Sequence, residues 1–434
     1  MGEPSKLIPL GKLKRVLFIA LFMQTLLFPV GEAGAIFLLI SPSPTMNGMG
    51  GVGVSVPSND NFSTHYNPAN YIAPKGFLSF QTSIERRVDW LPGFNLDDMY
   101  LDYDIFTLGY RLKKYPVQLS LTKSQLYLSL GEQFRVDEVG NILGSFTSYM
   151  EADAITYSIA YSSEKYPFYF SIGRTDKTAN QHLSDLGAGA EMGKGYSIDS
   201  FYDWGYLLSF PSVFKTNNKD INLSFTPSIG YSKSNIGGLI YFIDPAQADP
   251  APRTARFGIS GIFEAKDKSD QTLLKFTFVR EAEDLLIKGS LDSLVDSYTE
   301  QISSFWNWEY QKGLGDINIE KHILSSILDE DVIIHRGFEI SIYDAFSIRE
   351  GIYIDEEGRI NVKSNGYGFN LKGFLKALSI FIDPPFPELT KYFNVSYSYS
   401  KWNETPGHPI DNTKYKGYTI SFTHLDELIK GILK

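Results

Sequence analysis

The residues best suited to acid–base or metal chemistry are scattered along this chain of 434 residues. It contains six histidines and no cysteine, so a thiolate metal site, a cysteine nucleophile and a disulfide framework are excluded. No two histidines have the His-Glu-x-x-His spacing of zinc proteases, and no Gly-x-Ser-x-Gly nucleophile elbow is present. We therefore expect a non-enzymatic protein, with no catalytic residues and with neither a metal nor a cofactor site.

An acidic run, Asp355-Glu356-Glu357-Gly358, raises the question of calcium binding. An EF-hand loop places its oxygen ligands at regular alternate positions, and this run lacks that spacing. We expect a solvated hairpin loop here. Nucleic acid is excluded as a partner of the whole chain, because the formal net charge is -10 and phosphate backbones bind basic surfaces.

A polar cluster is the remaining candidate site. In the segments 333–343 and 345–354, His335, Glu339 and Arg349 occupy the parity opposite to the apolar residues. Because side chains alternate along a strand, the three side chains share one polar face of two adjacent strands. The pattern predicts a Glu339–Arg349 ion pair inside the protein. A sharper hypothesis is that the pair acts as a gate that holds or releases an internal plug.

The backbone that positions these side chains has a period of two. Apolar residues alternate with Ser, Thr, Asn and Gly in 155–162, 221–232, 393–401 and 414–424. The solvent face of a soluble sandwich is usually rich in Lys and Glu, whereas a small, polar second face suits the crowded interior of a membrane barrel. The aromatic content of 15% fits lipid-facing strands and interfacial aromatic girdles, although a large sandwich shares it.

The fold class predicted is all-β, a transmembrane antiparallel β-barrel of about 14 strands. Short and long connections tend to alternate, as in barrels with short periplasmic turns and long external loops. An even number of strands puts both ends of the barrel on the periplasmic side. The predicted strands are 76–88, 98–112, 116–130, 147–162, 167–176, 197–210, 220–233, 254–266, 271–280, 333–343, 345–354, 361–371, 391–402 and 413–424.

The N-terminal residues 1–35 are predicted to be a signal peptide. A basic stretch containing Lys12 and Arg15 precedes the apolar segment 16–30, and Ala33-Gly34-Ala35 forms a cleavage site of small residues. The alternative is a membrane anchor, but a spanning helix needs about 20 apolar residues. We expect export to a bacterial outer membrane, with 76–424 as the barrel in contact with outer-membrane lipid and 425–434 as a C-terminal tail.

Helical periodicity is predicted in three places. Two of them, Glu281–Ile302 and Ile319–Leu328, fall in the longest connection, 282–332, and we expect them to form an external cap. The third, Gly373–Ile382, precedes a Pro-Pro pair and predicts a short periplasmic helix.

A glycine-rich segment precedes the first strand. It contains Gly48, Gly50, Gly51 and Gly53 and leads into Asn67-Pro68-Ala69. A phosphate-binding loop needs a strand before the glycines and a helix after them, and neither is evident. The glycines instead predict tight backbone packing or positive φ angles.

These residues resemble the start of FadL-type outer-membrane barrels, and most closely the PorV/PorQ branch. Weaker similarities to that branch occur in Ile243–Arg253, His335–Tyr353 and His408–Thr413. The resemblance implies that residues 36–75 form a hatch folded inside the barrel, which Asn67-Pro68-Ala69 closes.

Three functions remain open. The PorV-like resemblance implies association with type IX secretion or surface attachment, through contacts with secretion-channel or exported proteins. A FadL-like protein would instead carry a hydrophobic ligand passively across the membrane. A soluble periplasmic β-protein is the third alternative. An apolar pocket between hatch and wall would favour transport, whereas a filled lumen with an exposed apolar loop would favour a protein partner.

Overall fold

In a computed structural model of the chain, the described residues are 33–73, 78–94, 96–112, 114–136, 142–162, 168–185, 195–217, 221–243, 248–289, 308–379 and 389–432. The predicted signal peptide therefore lies outside the described residues, except for its last three positions.

Fourteen antiparallel strands form one closed wall, because the last strand pairs with the first as well as with its predecessor. The number, order and approximate positions of the strands confirm the predicted barrel. The strands are β1 (Leu78–Asp89), β2 (Met99–Arg111), β3 (Val117–Val136), β4 (Ile142–Ser162), β5 (Tyr169–Ser184), β6 (Gly195–Ser209), β7 (Asn222–Gly237), β8 (Thr254–Lys266), β9 (Thr272–Leu285), β10 (Ile333–Ile342), β11 (Phe346–Asp355), β12 (Ile360–Asn370), β13 (Phe393–Asn403) and β14 (Lys414–Phe422).

Smaller elements attach to this wall. A short strand, Phe214–Asn217, pairs with the start of β7. Two short ladders stand apart from the wall: Leu239–Ile240 pairs with Asp249–Pro250, and Ile287–Gly289 pairs with Trp308–Tyr310.

The period of two separates an apolar outside from an inside of small residues. On β4, Ile155 and Ile159 are 49% and 48% exposed, whereas Thr156 between them is 3% exposed. The buried Thr156 hydroxyl lies 2.7 Å from the Thr175 hydroxyl of β5, which satisfies both polar groups. Among the described residues, no helix combines the length and apolar character needed to cross a lipid bilayer.

The predicted helix Glu281–Ile302 is wrong at its start. Residues 281–285 continue β9, since all five pair with β8 and residues 281–283 also pair with β10. Strand pairing outweighs a local helical pattern, because propensity is a weak preference that tertiary contacts override. The rest of that prediction, residues 290–302, lies outside the described residues.

The structure has a helix in each of the other two predicted segments. A π-helix spans Ile319–Leu324, and an α-helix spans Leu371–Leu378, beginning where the Asn370 side chain accepts a hydrogen bond from Gly373 N. The predicted tail contains the helix Leu425–Ile432.

The segment that precedes β1 fills the inside of the barrel. It forms a 3-10 helix at Ile36–Leu39, an α-turn at Pro44–Asn47 and a second 3-10 helix at Asn61–His65. Its largest side chains, including Met46, Phe62 and Tyr66, are almost completely buried. The barrel therefore encloses an N-terminal hatch, as expected.

Candidate functional site: the hatch and its contacts with the barrel wall

The glycines of the hatch allow its backbone to approach the wall. Gly50 and Gly51 have φ angles of 81° and 70°, which residues with a side chain rarely adopt. A Cβ atom on Gly50 would collide with the backbone of Ile352 on β11, and one on Gly53 would lie 2.5 Å from the Tyr66 ring. Both roles expected of these glycines therefore occur in the hatch.

The wall contributes matching glycines. Gly230 of β7, Gly337 of β10 and Gly351 of β11 face the hatch, and a Cβ atom on any of them would overlap the backbone of Val54 or Met49. Hatch and wall are therefore in backbone-to-backbone contact along several strands.

One buried carboxylate on β9 binds the centre of the hatch. Glu281 is 1% exposed and accepts hydrogen bonds from three consecutive backbone N–H groups, those of Gly53, Val54 and Ser55, at 2.8, 2.9 and 3.0 Å. The Ser55 hydroxyl donates a fourth hydrogen bond, at 2.9 Å. Successive N–H groups that converge on one anion form a nest, and hydrogen bonds to a charged acceptor are stronger than neutral ones.

Sequence reasoning missed Glu281 because it fell in the predicted helix. The signal that identifies it is parity: Thr277, Val279, Glu281 and Glu283 share the inward face of β9.

A second polar group binds the glycine-rich turn. His335 Nδ1 donates to the Gly50 carbonyl at 2.9 Å, and the Arg256 guanidinium donates to the Gly51 carbonyl at 2.8 Å. Glu283 lies 3.2 Å from both Arg256 and His335. Arg256 and Glu283 therefore form an ion pair beside His335, and Arg256 and His335 each bind one carbonyl of the hatch.

Glu339 and Arg349 form a separate group. Arg349 Nε donates to Glu339 Oε2 at 2.7 Å, and Lys275 Nζ lies 3.3 Å from Glu339 Oε1. Arg349 packs against the hatch, because a Cβ atom on Gly48 would lie 3.3 Å from its side chain. The structure thus brings Glu339 and Arg349 together but places His335 with Arg256 and Glu283.

Asn67-Pro68-Ala69 fastens the end of the hatch. The Asn67 amide donates to the carbonyls of Val54 and Tyr206 at 2.8 and 3.1 Å, and its oxygen accepts from Ala69 N at 2.9 Å. Pro68 lies against Gly173 of β5, where a Cβ atom would collide with the proline carbonyl.

The inner face of β2 and β3 differs from the small, polar lining predicted. Leu101, Tyr103 and Ile105 of β2 point inward and are at most 3% exposed, as are Leu126 and Leu128 of β3. The prediction was wrong here because β2 carries apolar residues at both parities, so alternation does not identify its inner face.

The hatch occupies this apolar lining. Phe37, Leu38 and Phe62 belong to the same buried cluster as the β2 and β3 side chains, and the rings of Phe62 and Tyr103 are 5.4 Å apart. A cavity of about 30 Å³ remains between Leu38, His65 and the wall, room for about two water molecules.

A buried ion pair borders the cavity. Lys177 of β5 lies 2.8 Å from Asp203 of β6. Burial, with help from the nearby Lys177 and Arg256 charges, lowers the pKa of His65 to about 3, so this histidine is neutral at physiological pH.

The later part of the long connection, residues 317–332, packs against the outside of the wall. Ile317, Ile323 and Val332 bury the outward-facing Ala282 and Ile334. Arg280 donates to the Leu324 carbonyl at 2.9 Å. Several apolar side chains of this segment stay exposed: Ile319 41%, Leu324 59%, Ile327 53% and Leu328 39%.

The acidic run at 355–358 forms the turn between β11 and β12, where Gly358 N donates to the Asp355 carboxylate at 2.8 Å. Within the described ranges, no group of three or more His, Asp or Glu side chains is placed to hold a metal ion.

No protein-family model matches the chain, and no curated protein matches it. Its fold is similar to that of the toluene transporter TbuX of Ralstonia pickettii, with 10% sequence identity and a TM-score of 0.41 over 88% of this chain and 96% of TbuX. The toluene transporter TodX of Pseudomonas putida shares 9% identity at a TM-score of 0.37, over 87% and 96% of the two chains. LpxR from Salmonella typhimurium shares 11% identity at 0.33, over 80% and 99%.

The class of protein follows from the wall itself. A closed sheet with an apolar outer surface leaves no unpaired edge, and it is one of the two structures that can span lipid. Antiparallel barrels with an even number of strands are typical of bacterial outer membranes. The chain is an outer-membrane β-barrel with an internal hatch.

Proposed function

We propose that the protein is a hatch-gated channel for the passive passage of a small hydrophobic molecule across the outer membrane. The observation that carries this proposal is the apolar inner lining of β2 and β3, which belongs to one buried cluster with Phe37 and Leu38 of the hatch. Leu38 lies beside Tyr103 and Leu126 of that lining. Apolar side chains are costly to expose inside a hydrated lumen. An apolar ligand could take the place of Phe37 and Leu38 without exposing that lining.

The position of these side chains supports displacement. Cleavage after Ala35, as the sequence predicts, would leave Phe37 and Leu38 beside a free chain end. The rest of the hatch has a separate buried cluster, in which Met46, Met49 and Tyr66 pack together and against Val279 of β9. In the proposed gating, the Ile36–Leu39 turn withdraws first, and the remainder of the hatch then shifts away from the wall as a folded unit.

Binding of an environment-sensitive apolar dye tests the proposal. A Phe37→Ser/Leu38→Ser variant in detergent should bind a naphthylamine fluorophore about tenfold more tightly than the parent, since removing about 1.4 kcal/mol of competing contacts changes binding tenfold. A matched change on the lipid-facing side of β3, Leu119→Ser/Leu121→Ser, should leave binding unchanged. Equal binding by both variants would show that the apolar lining is not a ligand site.

A second candidate is the PorV/PorQ-like role in type IX secretion or surface attachment. Two observations favour it: the hatch fills the inside of the barrel, with its large side chains buried, and Leu324 and Ile327 on the outside segment are exposed. Exposed apolar surfaces suit protein partners. Affinity purification from outer membranes, followed by mass spectrometry, should recover secretion-channel or exported proteins with the parent and lose them with Leu324→Ser/Ile327→Ser. Recovery of the same proteins with both would remove this role for the segment.

A further inference from the structure

Four lysines form a patch on the outer surface of the barrel. Lys363 of β12, Lys401 of β13, and Lys414 and Lys416 of β14 all occupy outward positions, since Val362, Trp402 and Tyr415 beside them are buried inward. Because β12, β13 and β14 are adjacent in the sheet, the four ammonium groups share one face.

The charges in this patch oppose one another. Lys401 and Lys414 stand directly opposite in the ladder between β13 and β14, and like charges at such positions are destabilising. In the part of the chain that the structure describes, no carboxylate lies within 4.0 Å of the ammonium group of any of the four lysines, although the Glu85 carboxylate accepts a hydrogen bond from the backbone N–H of Lys416 at 3.0 Å. Elsewhere on the outer surface, by contrast, Arg174 is paired with Asp176 at 2.7 Å.

Tyrosines locate the patch relative to the membrane. Tyr399 precedes Lys401 at the next outward position of β13, and Tyr418 follows Lys416 on β14. The rings of Tyr367 and Tyr399 stack at 4.9 Å, and those of Tyr397 and Tyr418 also lie 4.9 Å apart. Aromatic girdles mark the membrane interfaces of such barrels, so the lysines lie at headgroup level.

The patch faces the leaflet at the end of the barrel that carries the long connections. β13 leads from Lys401 into the connection 404–413, and this end also carries the longest connection, 286–332. The short turn 343–345 lies at the opposite end of the barrel, where β1 begins and β14 ends. Short turns are periplasmic in these barrels, so the lysines face the outer leaflet.

We propose that Lys363, Lys401, Lys414 and Lys416 bind the phosphate groups of a phosphorylated lipid in the outer leaflet. Lysine is a compact point charge that binds phosphate well, and phosphates between Lys401 and Lys414 relieve their repulsion. Each basic residue near an anionic membrane surface contributes roughly a fivefold gain in affinity.

Lipid titration of the detergent-solubilised full-length barrel, followed by native mass spectrometry, tests this assignment. The probes are bisphosphorylated lipid A, the same lipid without its phosphates, and inorganic phosphate. We expect the parent to bind the phosphorylated lipid preferentially, and Lys401→Gln/Lys414→Gln to bind it about 25-fold more weakly. The Lys401→Arg/Lys414→Arg variant keeps the charge and should retain binding.

The control removes the same charge elsewhere. Lys123→Gln/Lys376→Gln changes one outward lysine on β3, three strands away from β14, and one on the helix Leu371–Leu378 at the short-turn end, and it should bind like the parent. Heat-modifiable gel mobility checks that each variant is folded. Equal affinity for the lipid without phosphates, equal loss in the control, or full competition by inorganic phosphate at the lipid concentration would each overturn the proposal.

Discussion

Glu281 on β9 accepts hydrogen bonds from both the backbone nitrogen and the hydroxyl of Ser55, although 226 residues separate them along the chain. The N–H groups of Gly53 and Val54 donate to the same carboxylate. One side chain of the wall therefore binds three consecutive residues of the hatch. A carboxylate that satisfies several otherwise unpaired backbone donors is costly to remove, because each buried unpaired donor carries a desolvation penalty.

Replacing Glu281 by glutamine should loosen the centre of the hatch while leaving the wall intact. The amide keeps the size of the side chain, but it loses the charge and faces the N–H donors with a donor of its own. A hydrogen bond to a charged group contributes about 1.5–3 kcal/mol, so the amides of Gly53 and Ser55 should exchange with deuterium at least tenfold faster.

The control for this experiment is Glu350→Gln, an outward-facing glutamate on the next strand but one. It should not alter exchange in the hatch. Unchanged exchange in Glu281→Gln itself would show that the glycine contacts, rather than the carboxylate, hold the hatch.

A disulfide between hatch and wall should block passage if the proposed gating is correct. The Thr45 hydroxyl donates to the Ser398 hydroxyl of β13 at 3.0 Å, and the chain has no cysteine that could interfere. Oxidised Thr45→Cys/Ser398→Cys should slow dye entry into proteoliposomes, and a reducing agent should restore it.

The matched crosslink joins two wall strands only. The hydroxyls of Ser120 and Ser158 are 2.6 Å apart on β3 and β4, so Ser120→Cys/Ser158→Cys adds a disulfide that leaves the hatch uncrosslinked. This variant should conduct the dye in both redox states. If the hatch crosslink conducts equally well when oxidised, displacement of the hatch near Thr45 is not required for passage.

Charge reversal at Arg349 tests the predicted gate. Arg349→Glu would place a second carboxylate beside Glu339, and breaking a buried ion pair costs about 3–5 kcal/mol. We expect a lower temperature for the loss of heat-modifiable mobility and faster dye entry. The swap Arg349→Glu/Glu339→Arg should recover much of the thermal stability.

The two readouts separate a gate from a purely structural pair. The swapped variant could recover its thermal stability while dye entry stays fast. That result would indicate that Arg349 also holds the hatch, which it contacts at Gly48. Unchanged entry and unchanged stability in Arg349→Glu would remove the gate hypothesis.

The sequence predicts the wall well because alternation and short turns fix it. The turn 343–345 sets the register of β10 against β11, and Glu339 stands opposite Arg349 in that ladder. Parity and the short turn together therefore predict the Glu339–Arg349 pair. The partners of His335 could not be anticipated, because they come from β8 and β9, and the register of those strands against β10 depends on the end of the long connection 286–332.

The site facing the hatch was less accessible to sequence reasoning. Glu281 lies in a stretch with helical periodicity, and only pairing with both neighbouring strands makes it extended. The apolar lining of Leu101 and Ile105 is hidden because the outward face of β2 is apolar too, at Phe106 and Leu108. Where both parities are apolar, alternation carries no information about which face points inward.

Acid should loosen the hatch through His65. This side chain is buried between hatch and wall, and its pKa falls to about 3 because of burial and the nearby Lys177 and Arg256 charges. The pKa of an exposed histidine is about 6.5. Since the released hatch binds a proton more readily than the docked one, docking is fully stable above about pH 6.5 and weakens as the pH falls toward 3.

Asp60 acts in the opposite direction. Burial raises the pKa of its carboxyl group, so protonation of Asp60 favours the docked hatch in acid and offsets part of the His65 effect.

Substitutions at His65 and Asp60 separate the two contributions. In the parent, deuterium exchange at Asn61–Tyr66, corrected for the intrinsic rate, should reveal lower protection at pH 4.5 than at pH 7.5. His65→Asn should flatten that difference, and Asp60→Asn should enlarge it. Equal acid sensitivity in the parent and in His65→Asn would assign the effect to another group.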